Sequence, residues 1–172
     1  MADGLTHVLI AFALATLLSL RYEWLTPRFA TVAMVGATLP DLNRLEQVLP
    51  PATVESAIGV SISWRPMHSI GGVVIVICIG SLLVQPQYRR AVALLLALGA
   101  FSHFVLDLLM IPGSKPYLWP LIGADISIPG FYTSHDRWPA LLAILLALGA
   151  RSIARHRRRR LLETELAGQI DG

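Results

Sequence analysis

The sequence predicts an all-α protein, a polytopic transmembrane helical bundle of about five spans, N-terminus outside and C-terminus cytoplasmic. Three observations predict it. Of 172 residues, 55% are hydrophobic and only 15% charged, far from the mixture of a soluble domain. The apolar residues gather into runs separated by short polar stretches. A basic cluster, RSIARHRRRR at 151–160, comes directly after the last run, as the positive-inside rule expects of a cytoplasmic flank.

The first run, Leu5 to Leu20, comes after MADG, which carries no Lys or Arg, so no cleavable signal peptide is expected. Phe29 to Leu39 spans only 11 residues, a length that hydropathy alone would assign to a re-entrant or buried segment. Met67 to Val84 and Ala91 to Ile111 approach the roughly 20 residues needed to cross hydrocarbon, and Trp138 to Ala150 is somewhat short.

Charge decides the status of the 11-residue run. If it crosses, the inside holds Arg21, Arg28, Arg89, Arg90 and the six arginines of 151–160, against Arg44, Arg65, Lys115 and Arg137 outside: ten to four. If it does not, the bias falls to eight against six. The chain then divides into a helical membrane domain, 1–150, and a basic cytoplasmic tail, 151–172, that contacts anionic lipid; no nucleic-acid partner is expected. The single Cys78 excludes an internal disulfide and reads as a small buried hydrophobe.

Five-span threading also gathers the suspicious polar residues at one face. His7 falls at the outer end of the first helix, Asp41 at that of the second, His68 at that of the third, and His103 with Asp107 in the outer half of the fourth. An Asp inside a membrane helix costs about 2.5–3.5 kcal/mol on insertion scales, so each such group is a functional candidate. His103 and Asp107, four apart, share a helical face. Together the three His and two Asp suit zinc, manganese or iron, although a His–Asp hydrogen-bond network tying helices together would use the same residues. Asp41 could equally cap the segment after Pro40, and Ser69 could be the N-cap of the third helix with His68 merely beside it. Arg65 is placed to pair with phosphate or carboxylate oxygens.

His135 and Asp136 form a reserve pair before the last helix, where Asp136 needs no further role than meeting the helix dipole. Gly71, Gly72, Gly80, Gly99 and Ala100 read as close helix packing. Trp64, Tyr117, Trp119 and Trp138 read as an interfacial aromatic belt.

The ordered set Thr6-His7, Pro40-Asp41-Leu42-Asn43, Arg65 with His68-Ser69, Ser102-His103-Phe-Val-Leu-Asp107, Gly113 and Leu118-Trp119-Pro120 resembles the YdjM-like family of membrane-bound, predicted metal-dependent hydrolases. The resemblance covers about the first 120 residues. It implies a helical membrane domain in which His7, Asp41, His68, His103 and Asp107 bind divalent metal. Departures from the family pattern are Asn43 in place of an acid, Trp64 in place of a histidine, and Met67 and Met110 in place of threonines.

The primary reading is a metal-dependent hydrolase of the plasma membrane, open to the outer interface. Its cofactor is a divalent transition metal, zinc or manganese. Asp41, Asp107 and Arg65 are the candidate catalytic groups, and the substrate is a phosphoester or other ester of a lipid-borne molecule. Two rivals stand beside it. A metal carrier would use the same ligands but should carry polar groups through the membrane depth or show a repeat. A non-enzymatic protein would use metal, or a His–Asp network, only to brace its helices.

Overall fold

The computed structural model describes residues 4–22, 24–111, 114–127 and 129–170; Gly113 lies outside them. Among the described residues the chain forms α1 (Gly4–Ser19), α2 (Pro27–Gly36), α3 (Pro51–Ile58), α4 (Ile70–Leu82), α5 (Arg89–Leu108) and α6 (Trp138–Ile170). A 3₁₀ segment, Leu39–Gln47, comes after α2, and 3₁₀ turns at Arg65–His68 and Pro86–Tyr88 precede α4 and α5. Each of the five apolar runs contributes a helix, although Met110 and Ile111 at the end of the fourth form a short strand instead.

Lengths differ from the expectation in two places. The third run yields a helix of only 13 residues, because Pro66 sits in the 3₁₀ turn and Ser69 starts α4, its Oγ accepting the Gly72 N–H at 3.1 Å. The last run is not short, since α6 continues unbroken through the basic cluster for 33 residues, about 50 Å at the α-helical rise. Pro86–Leu108 and Trp138–Glu163 are each long and apolar enough to cross a bilayer; Gly4–Ser19 and Ile70–Leu82 are shorter apolar helices.

The segment between α5 and α6 is not wholly irregular. It carries four two-residue strands: β1 (Met110–Ile111) pairs parallel with β4 (Tyr132–Thr133), and β2 (Ser114–Lys115) antiparallel with β3 (Ile126–Ser127). In β2 and β3, Lys115 lies opposite Ile126. The amphipathic α3 was also unforeseen; it ends at Gly59, whose φ of 70° is the left-handed cap that glycine favours.

In the bundle α1 packs against α6, α2 and α5, while α5 also carries α4. Small residues make this close. Ala11, Ala15, Ala30, Ala33 and Ala37 form one core with Leu25 and Leu95; Leu39, Val73, Leu96 and Ala100 form a second. Gly36 and Gly99 bring α2 and α5 into backbone contact, for a Cβ on Gly99 would collide with the Ala33 carbonyl and one on Gly36 with that of Leu96. Large apolar side chains such as Ile79, Leu94, Phe101, Leu145 and Leu148 face outward, the surface a hydrocarbon solvent requires. Cys78 is among the exposed residues rather than buried, because α4 lies at the edge of the bundle with α5 as its neighbouring helix.

Candidate metal centre

The five residues that the sequence singled out as ligands come together at one end of the bundle. His7 enters from the first turn of α1, Asp41 from the 3₁₀ segment after α2, His68 from the turn before α4, and His103 with Asp107 from the last two turns of α5. His7, His68, His103 and Asp107 are at most 1% exposed. Asp107 is central. Its Oδ1 lies 3.5 Å from His7 Nε2; its Oδ2 lies 2.9 Å from His68 Nε2 and 3.4 Å from His103 Nε2. Asp41 Oδ1 is 3.9 Å from His103 Nε2, while its Oδ2 pairs with Arg44 at 3.0 Å. The His7 and His103 rings stack with centroids 3.9 Å apart.

Local backbone chemistry sets two of the imidazoles. Pro40 has no N–H, so the 3₁₀ bond it would make to the Ala37 carbonyl is missing. The Asp41 N–H goes instead to Thr38 O at 3.1 Å. The Ala37 carbonyl is left to accept the Nδ1–H of His103 at 2.7 Å, and the Pro40 carbonyl accepts that of His68 at 2.9 Å. A carbonyl can only accept, so both rings carry their proton on Nδ1 and turn Nε2 toward Asp107. Such an outer hydrogen bond is how metal-binding imidazoles are normally oriented. His7 Nδ1 has no such partner.

The donor set fits a divalent cation. Unless it takes a second proton, the Nε2 of His68 and that of His103 each meet a carboxylate oxygen as lone pair against lone pair, an arrangement only a positive centre between them makes favourable. His103 Nε2, Asp107 Oδ1 and Asp41 Oδ1 are buried without a hydrogen-bond partner, a cost of about 1–3 kcal/mol each if left so. Tetrahedral ligands about 2.1 Å from one ion stand about 3.4 Å apart. The spacings of 3.4 Å from Asp107 Oδ2 to His103 and 3.5 Å from Asp107 Oδ1 to His7 are each of that size, on the two oxygens of one carboxylate. Two overlapping groups, His7–His103–Asp107 and Asp41–His68–His103, could each hold an ion.

Arg65 is not brought into the cluster. Its exposed guanidinium pairs with Asp125 at 3.1 Å. His135 and Asp136 also stay apart at the surface; Asp136 Oδ2 accepts the Thr133 N–H and hydroxyl, which holds its carboxyl below the usual range. Trp64 donates its indole N–H to Leu49 O at 2.9 Å, so it braces the loop. The residue that sequence reasoning missed is Lys115. Its Nζ reaches Asp107 Oδ2 and His68 Nε2, each at 3.1 Å. Tyr117 packs on Phe104 and His68, and burial, with the Asp107 charge second, pushes its hydroxyl well above the usual phenol range. Tyr132 is pushed up to about 12 for the same reasons, and donates its hydroxyl to Leu106 O at 2.7 Å.

Fold and site together define a helical membrane protein that buries three imidazoles and one carboxylate at one end of its bundle, with the partly exposed Asp41 beside them, a set that could hold a metal ion. The chain belongs to the YdjM inner membrane protein family, whose family model matches residues 1–168, and it is accordingly a protein of the inner membrane. Neither a curated protein nor a solved structure matches it.

Proposed function

We propose that the chain is a metal-dependent hydrolase with five spans, its N-terminus and its centre at the outer face, acting on a phosphoester or other ester of a lipid-borne substrate. The observation that carries the metal is the set of buried, unpartnered lone pairs on His103, Asp107 and Asp41. His7, His103 and Asp107 are the principal ligands, with zinc or manganese the ions their nitrogen and oxygen donors suit. A bound ion supplies a water of pKa near 7 and polarises the attacked oxygen. Asp41, whose side chain is 15% exposed against 1% for Asp107, would be the carboxylate that takes a proton from an attacking water. Arg65, at the rim, exchanges Asp125 for an anionic headgroup. A cavity of about 220 Å³ bordered by Thr6, Ile10, Leu106, Phe131 and Trp138, beside His7 and Asp107 in the chain, offers an apolar seat for an acyl tail.

The test is metal content by mass spectrometry on purified protein, followed by hydrolysis of phosphoester lipids in vesicles. Wild type should retain a transition metal, and His103→Ala should release it together with any turnover. Equal metal in wild type, His103→Ala and Asp107→Ala would end the metal reading. The near-complete burial of His7, His68, His103 and Asp107 favours a second reading, a centre that only braces the helices. In that case metal removal lowers thermal stability and no ester is turned over.

A further inference from the structure

Lys115 enters the cluster by a route built into the fold. The Tyr117 and Trp119 carbonyls accept the Ile70 and Gly71 N–H groups of the first turn of α4, at 2.9 and 3.2 Å. Gly71 allows this approach, since a Cβ there would lie 2.5 Å from Trp119 O. The loop is therefore clamped to the helix start that carries His68. Pairing of β2 with β3 and a hydrogen bond from Tyr117 N–H to Lys115 O at 2.9 Å fix the backbone of Lys115 over the site. Its side chain is 17% exposed and ends between His68 and Asp107.

That location answers one half of the cluster's need and not the other. Between His68 Nε2 and Asp107 Oδ2, 2.9 Å apart, an ammonium can donate to both lone pairs. Nothing comparable serves His103 Nε2, Asp107 Oδ1 or Asp41 Oδ1. The cluster thus has two places for positive charge, one of them filled from within the chain. We propose that Lys115 is a tethered cation standing where a metal ion would otherwise bridge His68 and Asp107. The protein then takes one divalent ion, on His7, His103 and Asp107, and excludes a second from the His68 edge, where Lys115 Nζ engages His68 Nε2 and Asp107 Oδ2. The inference rests on the proposed metal centre. An ammonium brings hydrogen-bond donors but no open coordination position, so the His68 edge is electrostatically complete yet cannot present an activated water.

The experiment titrates the full chain in detergent with Mn²⁺, in wild type, Lys115→Met and Lys115→Gln, reading bound ions per chain and the paramagnetic resonance spectrum. Wild type should bind one ion with an isolated six-line signal. The variants should bind a second, with exchange broadening, because paired sites hold ions about 3.5–4 Å apart. Two ions in wild type would mean that metal displaces Lys115, and overturns the proposal. One ion in all three proteins overturns it while leaving the single-metal reading intact. No ion in any of them removes both. No ion in wild type but one in the variants sustains the role of Lys115 and takes the ion from the hydrolase reading. The glutamine variant, polar and of similar reach, guards against misfolding of the methionine one.

Discussion

Gly99→Ala tests how far helix packing controls the centre. The added methyl would collide with Ala33 O and stand 2.6 Å from Ala37 N and 2.9 Å from Gly36 C, all backbone atoms of α2 and the residue just after it. Backbone cannot rotate away as a side chain can, so the helices must part by about 1 Å before contacts return to ordinary separations. His103 lies one turn beyond Gly99 on the same face of α5, and its Nδ1 is 2.7 Å from Ala37 O. The same displacement would stretch that bond to about 3.7 Å, past the limit of an N–H···O hydrogen bond. Loss of an orienting partner typically weakens metal affinity about 10–100-fold, and overpacking costs about 1–3 kcal/mol of stability. Both effects should appear together in a metal titration and a thermal melt of the detergent-solubilised protein. Gly80→Ala is the control, because its nearest contact would be Leu96 Cδ1 at 3.6 Å, an ordinary distance. Unchanged metal affinity in Gly99→Ala would refute the idea that the α2–α5 contact positions His103.

Cysteine labelling in a Cys78→Ser background should mark Arg65, Lys115 and the region of Asp3 from the outside, and Tyr88 and Arg160 from the inside; an inside position for Asp3 with Lys115 outside would contradict five spans. Asn43→Asp should leave metal binding intact or strengthen it, since Asn43 Oδ1 is buried without a hydrogen-bond partner and a charged oxygen is the better ligand; reduced metal content would count against a ligand role for position 43. Pro40→Ala should weaken metal retention, because a restored N–H at position 40 competes with His103 for the Ala37 carbonyl; the comparison is metal content in that variant against wild type.

Much of the site was legible because helix period and topology carry it. His103 and Asp107 share a face by spacing alone, and threading five helices with alternating direction put His7, Asp41 and His68 at the same end as that pair. Gly99 announced close packing, though not which carbonyl would profit. Lys115 stayed hidden for a physical reason: its reach depends on hydrogen bonds between the post-α5 loop and the start of α4, residues 45 or more apart in the chain, which no local pattern encodes. Arg65 misled in the opposite sense. Three residues before His68 in a 3₁₀ turn it is close in backbone, but its long side chain finds Asp125, 60 residues on.

The centre's geometry turns on a stretch of five residues, Ala37 to Asp41, more than on any whole helix. A regular helix continued through them would spend the Ala37 carbonyl on its own ladder, leaving His103 without an acceptor and its tautomer undefined. The Asp41 N–H that would close that ladder turns to Thr38 O as the chain tightens to 3₁₀, Pro40 has no N–H to replace it, and the Ala37 and Pro40 carbonyls accept from His103 and His68 while Asp41 presents its carboxylate beside them. In lipid an unsatisfied carbonyl is costly, so irregular backbone survives only where protein groups meet it. The two histidines do so here, which binds the break in the helix and the ligand set to one another. Restoring a regular helix at residue 40 would leave His103 unheld, and removing His103 would leave the Ala37 carbonyl bare.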